Sequence, residues 1–374
     1  MLDDFRAVYD RQSMTDIQDQ IARRRLILGI SNVGFWVAVS AAGLLWGTFF
    51  GPPFINQPGL LKCMLGIVFT QSFFDFIGGA VLMPPGSASR PQFFRTWFRG
   101  ALVHNALLCG AAVLSYWSFL LTHGFCLSVA VVSLVLFFCR RQILSLTSGV
   151  RSTRSTFGGC AGWEVDSRDP SFTGGISGIG PGAMTLMPES WKSTLTPEET
   201  HTLIQRRLWA IKNNLPARAL LTVLSWNLAG CKIGSLLLGL PSLSPEQAML
   251  MQCAWMTLWG FLALLLLPSL SRSSVFGADR AAAAQGCDAT SWIQKFPSLT
   301  GEDGNAKTLL QRIFYPIPSA AERLVHLEDS KLAPVFGSVA RSNLFLSLAT
   351  LTILGRCVHC NVGRPELWIF PPSD

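Results

Sequence analysis

Apolar runs long enough to cross a bilayer alternate along the chain with short polar breaks. Leu26 to Phe50, Leu61 to Met83, Gly100 to Leu121, Gly124 to Cys139, Ala217 to Leu240 and Ala248 to Leu270 are all of this kind. At 1.5 Å per residue the longer ones span a hydrocarbon core of roughly 30 Å, and Gly124 to Cys139 sits at the short limit. Pro52, Pro53 and Pro58 separate the first two runs, and Pro84 and Pro85 end the second. The last apolar run, Asn343 to Leu354, is too short to cross and is expected to pack on a domain or lie in the interface.

The polar remainder divides into recognisable pieces. Residues 1–25 predict a polar helix with apolar positions at Phe5, Ile17 and Ile21, ending in Arg23, Arg24 and Arg25. Residues 144–188 are rich in Gly, Ser, Thr and Arg, which predicts loops or strands. Pro197 to Asn214 predicts a helix, with Thr196 as its N-cap, Pro197 at the first position and the acids Glu198 and Glu199 at the positive end of the dipole. Residues 271–341 read as extramembrane, helical at ADRAAAA and around Lys307 to Arg312. The expected organisation is thus a polar helix (1–25), a four-span region (26–143), a Gly-rich segment with a helix (144–216), a transmembrane hairpin (217–270) and a C-terminal extramembrane part (271–374) with a short apolar helix at 343–354. The fold class is mainly α, a polytopic membrane protein with about six transmembrane helices and a helix-rich extramembrane domain.

Composition sharpens this. Hydrophobic residues make up 49% and charged residues only 14% of the 374, with a mean hydropathy of +0.38, outside the usual soluble range. The net charge is +8, and its placement excludes nucleic acid as the partner. Arg23 to Arg25, Arg90, Arg95, Arg99, Arg140, Arg141, Arg151 and Arg154 flank apolar runs on one side, while Lys62 stands nearly alone on the other. By the positive-inside rule the N-terminus and everything after the fourth run face the cytoplasm or its stromal or matrix equivalent. Of the ten cysteines, Cys63, Cys109, Cys126, Cys139, Cys231 and Cys253 lie within apolar runs and read as small hydrophobes, not as a disulfide framework. The first run is too long for a cleavable signal and reads as an anchor, and an earlier transit peptide is left open.

Few residues offer independent chemistry. GGISGIGPG lacks the strand-to-helix context of a phosphate loop, and no GxxxxGK[ST] occurs. Glu198, Glu199 and His201 gather potential metal donors near a helix start, and Cys357-Val358-His359-Cys360 supplies one CxxC without a second pair. Asp75 is an intramembrane acid at a depth comparable to His104 on the next antiparallel span, so the two are candidates for a polar pair. Lys232 reads as a snorkelling anchor, and Trp226, Trp255 and Trp259 as packing or an interfacial belt.

The order of several words carries more. Pro181-Gly182 is followed by Leu186-Met187-Pro188-Glu189-Ser190-Trp191 and then Leu195-Thr196-Pro197-Glu198-Glu199. After the hairpin come Ser271-Arg272-Ser273-Ser274-Val275-Phe276-Gly277-Ala278-Asp279-Arg280 and later Tyr315-Pro316-Ile317-Pro318-Ser319-Ala320-Ala321-Glu322-Arg323-Leu324. From 172 to 327 this resembles the HtpX-type membrane zinc metallopeptidases and their BlaR-type relatives. In those families a phrase ending in PEE leads into HExxH, a hydrophobic hairpin follows, and an SRxxExxAD segment brings the third ligand. The resemblance implies family positions retained at Trp191, Pro197, Glu198, Glu199, Arg272, Asp279, Glu322 and Arg323.

It also implies a lost site. HExxH works because one helical turn brings two imidazoles to one zinc, while the intervening glutamate activates the bound water. Counted from Pro197, the histidine positions hold Gln205 and Trp209, the general-base position Arg206 and the third-ligand position Val275. An amide is a poor ligand, an indole and an isopropyl group offer none, and a guanidinium cannot accept a proton. The expectation is an inactive relative with no cofactor, acting as a scaffold, assembly factor or accessory subunit with the bilayer and other membrane proteins as partners. The alternatives are an active zinc endopeptidase with unorthodox ligands, and a channel or transporter.

Overall fold

The computed structural model describes residues 2–51, 55–83, 89–157, 160–300, 317–328 and 334–372, with side chains in the first helix described from residue 20 onward. That helix, α1, runs unbroken from Leu2 to Phe50 over 49 residues. The expected polar helix and first span are therefore one element, because residues 2–25 contain neither proline nor glycine to part them. Its apolar stretch is Gln20–Phe50. α2 (Gln57–Phe76) starts on an Asn56 cap, with Gly59 N donating to Asn56 Oδ1 at 2.9 Å. It then widens into a π-helical turn, Ile77–Val81, at Gly78 and Gly79. α3 spans Arg90–Thr122.

The fourth run departs from expectation. α4 (Cys126–Phe138) and α5 (Arg140–Ser148) are two helices bent by 73° at Cys139. Thirteen residues rise only about 20 Å, so α4 alone is short for a crossing. The bend turns Arg140 inward, where its Nε donates to the Ile369 carbonyl at 2.7 Å.

Beyond the bend lies a four-stranded sheet of β1 (Ser152–Phe157), β2 (Cys160–Val165), β3 (Gly175–Ser177) and β4 (Met184–Pro188), in the order β1-β2-β4-β3. β2 and β4 are parallel, with Trp163 opposite Leu186, and the other two pairings are antiparallel. A single turn, α6 (Trp191–Thr194), leads into α7 (Pro197–Lys212). α8 (Leu215–Leu237) and α9 (Pro245–Ala284) form the second hairpin. Its two helices close through stacked indoles: Trp226 and Trp259 lie 4.7 Å apart, and Trp255 Nε1 donates to the Gly230 carbonyl. α9 is 40 residues long, about 60 Å, twice the hydrocarbon thickness. The same helix is thus a span below and a wall of the extramembrane domain above, with no break at residue 271. α10 (Ala289–Thr300) and α11 (Ala320–Leu327) complete that domain around Trp191, Leu203, Ile204, Trp292 and Phe296. The expected helix at Lys307 to Arg312 lies outside the described residues, as do Tyr315 and Pro316.

The C-terminal part is placed differently from the extramembrane position expected for it. α12 (Val339–Leu346) packs against α8 and α9, and the turn at Ser347–Thr350 against α3 and α4. α13 (Leu354–Cys357) then meets α1 and α2, and α14 (Pro365–Ile369) meets α3 and α5. Almost every residue from 338 to 372 is buried, so this irregular chain fills the helix bundle. Arg25 joins it to the turn after α2, donating to His359 O at 3.2 Å and Val362 O at 2.9 Å on this segment, and to Gly78 O at 2.5 Å and Leu82 O at 3.1 Å on the turn. Arg25, expected to mark topology, is a buried clamp.

Close approach of backbones makes the packing testable. A Cβ at Gly29 would lie 2.5 Å from the His359 nitrogen, whereas one at Gly34 would meet nothing. Gly29→Leu should therefore lower stability by about 1–3 kcal/mol in thermal unfolding in mild detergent, and Gly34→Leu should leave it nearly unchanged. The segment is also pH-sensitive. Burial, and then the neighbouring Asp169 carboxylate, push Glu366 from its ordinary 4.5 up to about 7. An acid favoured as its protonated form stabilises below pH 4.5, and this is lost as pH rises through about 7. Stability should fall over that window by an amount on the order of 3 kcal/mol, and Glu366→Gln should flatten the profile.

Candidate functional site

α7 starts as its sequence dictates. Thr196 Oγ1 accepts from Glu199 N at 3.2 Å, and Thr196 N donates to Glu199 Oε2 at 2.9 Å, a reciprocal capping box. Glu199 is thus engaged at its own helix start, and His201 points outward, exposed. The helix is then held on two sides. Arg207 forks onto the sheet, donating to Thr185 Oγ1 at 3.0 Å, Leu186 O at 2.6 Å and Thr173 O at 2.7 Å. Arg206 faces α9, with its Nε on Asp279 Oδ1 at 2.8 Å.

Asp279 takes a second guanidinium as well. Arg323 of α11 donates from Nε to Oδ2 at 2.8 Å and from Nη2 to Oδ1 at 2.7 Å. All three side chains are at most 2% exposed. The Arg206 and Arg323 cations also lie 5.7 Å and 5.4 Å from the rings of Trp292 and Phe296, within cation–π range. Beside them Arg272 Nη2 pairs with Glu322 Oε2 at 2.5 Å. Burial alone would raise the Glu322 carboxyl, but Arg272 and the Ser319 donors hold it below its ordinary value.

The two segments named from the sequence therefore meet. Arg206 and Val275 line one cavity of about 100 Å³ between α7 and α9. Trp209 packs on Gly277, where a Cβ would come within 2.5 Å of its indole. Gln205 is half-buried on the same helix. This donor set does not fit a zinc ion: an amide and an indole stand at the two positions the resemblance gives to histidines, and the guanidinium between them is already bonded to Asp279. Among the described residues no group of three His, Cys, Asp or Glu side chains converges for a metal. Of the positions the resemblance implies, Arg272 pairs with Glu322 and Arg323 with Asp279, Trp191 stacks edge-on to Trp292 at 6.0 Å, and Pro197, Glu198 and Glu199 build the helix start.

The expected pair of Asp75 and His104 is not direct. Arg356 of α13 sits between them, ion-paired to Asp75 and 3.5 Å from His104 Nδ1, with Asn105 Oδ1 at 3.0 Å. Gln71 Nε2 and Gly363 N also donate to Asp75 Oδ1, each at 3.2 Å. The depth match was legible, but the third partner was not, since Arg356 lies in the segment read as extramembrane. Cys357 and Cys360 are both buried. Sequence reasoning missed Arg207 and Arg341 and read Arg140 only as a flank; all three line the α7–α9 cavity with Arg206.

A bundle of apolar helices, a small mixed sheet and a helix pair like α7 and α9 make this an integral membrane protein with the fold of a polytopic helical membrane metallopeptidase. The crystal structure of S. mikatae Ste24p matches it with a TM-score of 0.59, covering 79% of this chain and 81% of that chain at 13% identity. At that identity the likeness is one of fold. No family model and no curated protein matches the sequence.

The ion cluster sets a measurable order of effects. Asp279→Asn leaves two buried arginines against an amide and should cost about 3–5 kcal/mol in denaturant unfolding. Replacing the cluster together, with Arg206→Met, Asp279→Leu and Arg323→Met, should cost less than the single change.

Proposed function

We propose that this chain is a pseudo-metallopeptidase: an integral membrane protein with a metallopeptidase scaffold and no hydrolytic site, serving as scaffold, assembly factor or accessory subunit of a larger membrane complex. Its N-terminus and peptidase-like domain face the cytoplasmic, stromal or matrix side, in keeping with the arginine flanks. The observation that carries the reading is Arg206. It stands at the position the resemblance gives to the general base, and it is locked by Asp279 at 2.8 Å. A guanidinium there neither takes a proton from water nor tolerates an adjacent divalent cation. The fold shared with Ste24p, a membrane zinc metallopeptidase, supports the scaffold half of the reading.

The test is reciprocal. Elemental analysis of the purified chain should find no stoichiometric zinc, and its mild-detergent preparation should carry a stoichiometric partner protein. The variant Gln205→His, Arg206→Glu, Trp209→His, Val275→Glu should acquire one zinc per chain. Chelator-sensitive cleavage of unfolded membrane substrates by the unmodified protein would end the proposal.

A further inference from the structure

We infer that Cys126 and Cys231 form a reversible disulfide that joins α4 to α8 near the membrane face opposite the arginine flanks, a modification site separate from the α7–α9 cavity. The two residues belong to different helices, and their thiols hydrogen-bond to one another. Cys231 is 1% exposed within a hydrophobic cluster against which the half-buried Cys126 packs. Gln252 on α9 holds the same sulfur from a third side, its Nε2 donating to Cys231 Sγ at 3.2 Å. α4 and α8 pack together with Cα atoms within 8 Å, and sulfurs already in hydrogen-bond contact need only a small closure to reach the disulfide length of roughly 2.05 Å. Three other thiols are turned instead to oxygen acceptors: Cys253 to Leu351 O at 3.2 Å, Cys357 to Gln71 Oε1 at 3.3 Å and Cys360 to Asn361 Oδ1 at 3.3 Å. The inference is thus of one cross-link, not of a disulfide framework.

Depth supplies the chemical setting. Arg140 and Arg141 follow α4, and Lys212 and Arg218 flank the start of α8. Cys126, the first residue of α4, and Cys231, close to the end of α8 at Leu237, therefore both lie toward the opposite ends of their helices. Lys232, next in sequence, is read as a snorkelling anchor, which puts the pair near headgroup level. The side of a membrane away from the cytoplasm is where disulfides form and persist, so this setting rests on the orientation proposed above.

The step is a thiol–disulfide exchange with an external disulfide as oxidant. Cys126, the more accessible sulfur, attacks as thiolate one sulfur of that disulfide, and the other sulfur leaves. The Cys231 thiolate then displaces the first sulfur from the mixed disulfide. The oxidant departs as two thiols carrying two electrons and both protons, and the bond between Cys126 and Cys231 remains. The loop it closes contains α5, the four-stranded sheet, α6 and α7, so one bond ties the four-span region to the second hairpin. Closing so long a loop restricts the unfolded chain, and oxidation should raise the melting temperature by an amount on the order of 5 °C.

The experiment uses the full chain in mild detergent, incubated with oxidised glutathione and then with dithiothreitol. After alkylation with N-ethylmaleimide, non-reducing peptide mass mapping should find Cys126 and Cys231 linked in the first state and both alkylated in the second. The melting temperature should rise on oxidation and fall back on reduction. Cys126→Ala and Cys231→Ala should each lose that redox-dependent shift, and Cys126→Ala, at the half-buried position, decides the matter if Cys231→Ala fails to fold. Both sulfurs alkylated after oxidation, or either one joined to a different cysteine, overturns the assignment. In sealed vesicles of the reduced protein, a membrane-impermeant maleimide should label Cys126 from the face opposite the arginine flanks. Labelling from the arginine side alone overturns the orientation, and with it the oxidising setting, while the peptide map still reports on the cross-link itself.

Discussion

A single buried carboxylate, Asp279, accepts from two guanidinium groups arriving on different helices, Arg206 on α7 and Arg323 on α11. The extramembrane domain depends on this junction. Each charge has been taken out of water, so the arrangement is stable only while all three are present, and losing one partner leaves an uncompensated ion. Directional forks add geometry to charge: α7 cannot slide along α9 without breaking a 2.8 Å contact. Arg207, one residue on, ties the opposite side of α7 to β4. The helix is thus clamped between sheet and α9 by consecutive arginines.

The same residue type solves a different problem in the bundle. The C-terminal chain runs through it in short turns, and backbone of that kind exposes carbonyls that a helix would satisfy internally. Irregular chain at membrane depth is tolerated only where protein surrounds it and supplies donors. Arg25 caps four such carbonyls, two of them at the π-turn after α2 and two on the C-terminal segment. Arg356 ties that segment to Asp75, and Arg364 ties it to Asp169. Hydrocarbon-facing surface is left to the spans, where Phe49, Phe69 and Leu121 stand exposed.

Those roles explain what the sequence made legible. Runs such as Leu61 to Met83 announce themselves because bilayer thickness dictates their length, and the start of α7 was readable because capping chemistry is local. The arginine at 206, where the resemblance implies a general base, was equally visible, being a matter of one residue's chemistry. Its partner was not, since pairing Arg206 with Asp279 requires knowing that residues 73 apart face one another. The burial of the C-terminal segment was hidden for the same reason and for another: Arg356, Asn361 and Arg364 are of residue types that ordinarily seek water, and the partners that hold Arg356 inside, Asp75 and Asn105, lie 281 and 251 residues away. Arg140 was misread because an arginine after an apolar run ordinarily marks the end of a span, whereas here it marks a bend turned inward.

A metal site that decays without constraint leaves mismatched groups: a carboxylate with nothing to bind, a void where an imidazole stood. The α7–α9 interface shows complementary pairs instead. The cation at 206 meets the anion at 279, and the large indole at 209 meets Gly277, the one residue type whose missing side chain leaves that ring its place. In a zinc peptidase the ion itself draws one helix and a distant third ligand together. Here an ion pair and an indole packed on glycine join α7 and α9. On the reading proposed above, a guanidinium at the centre of this interface suits a shape that holds rather than cuts.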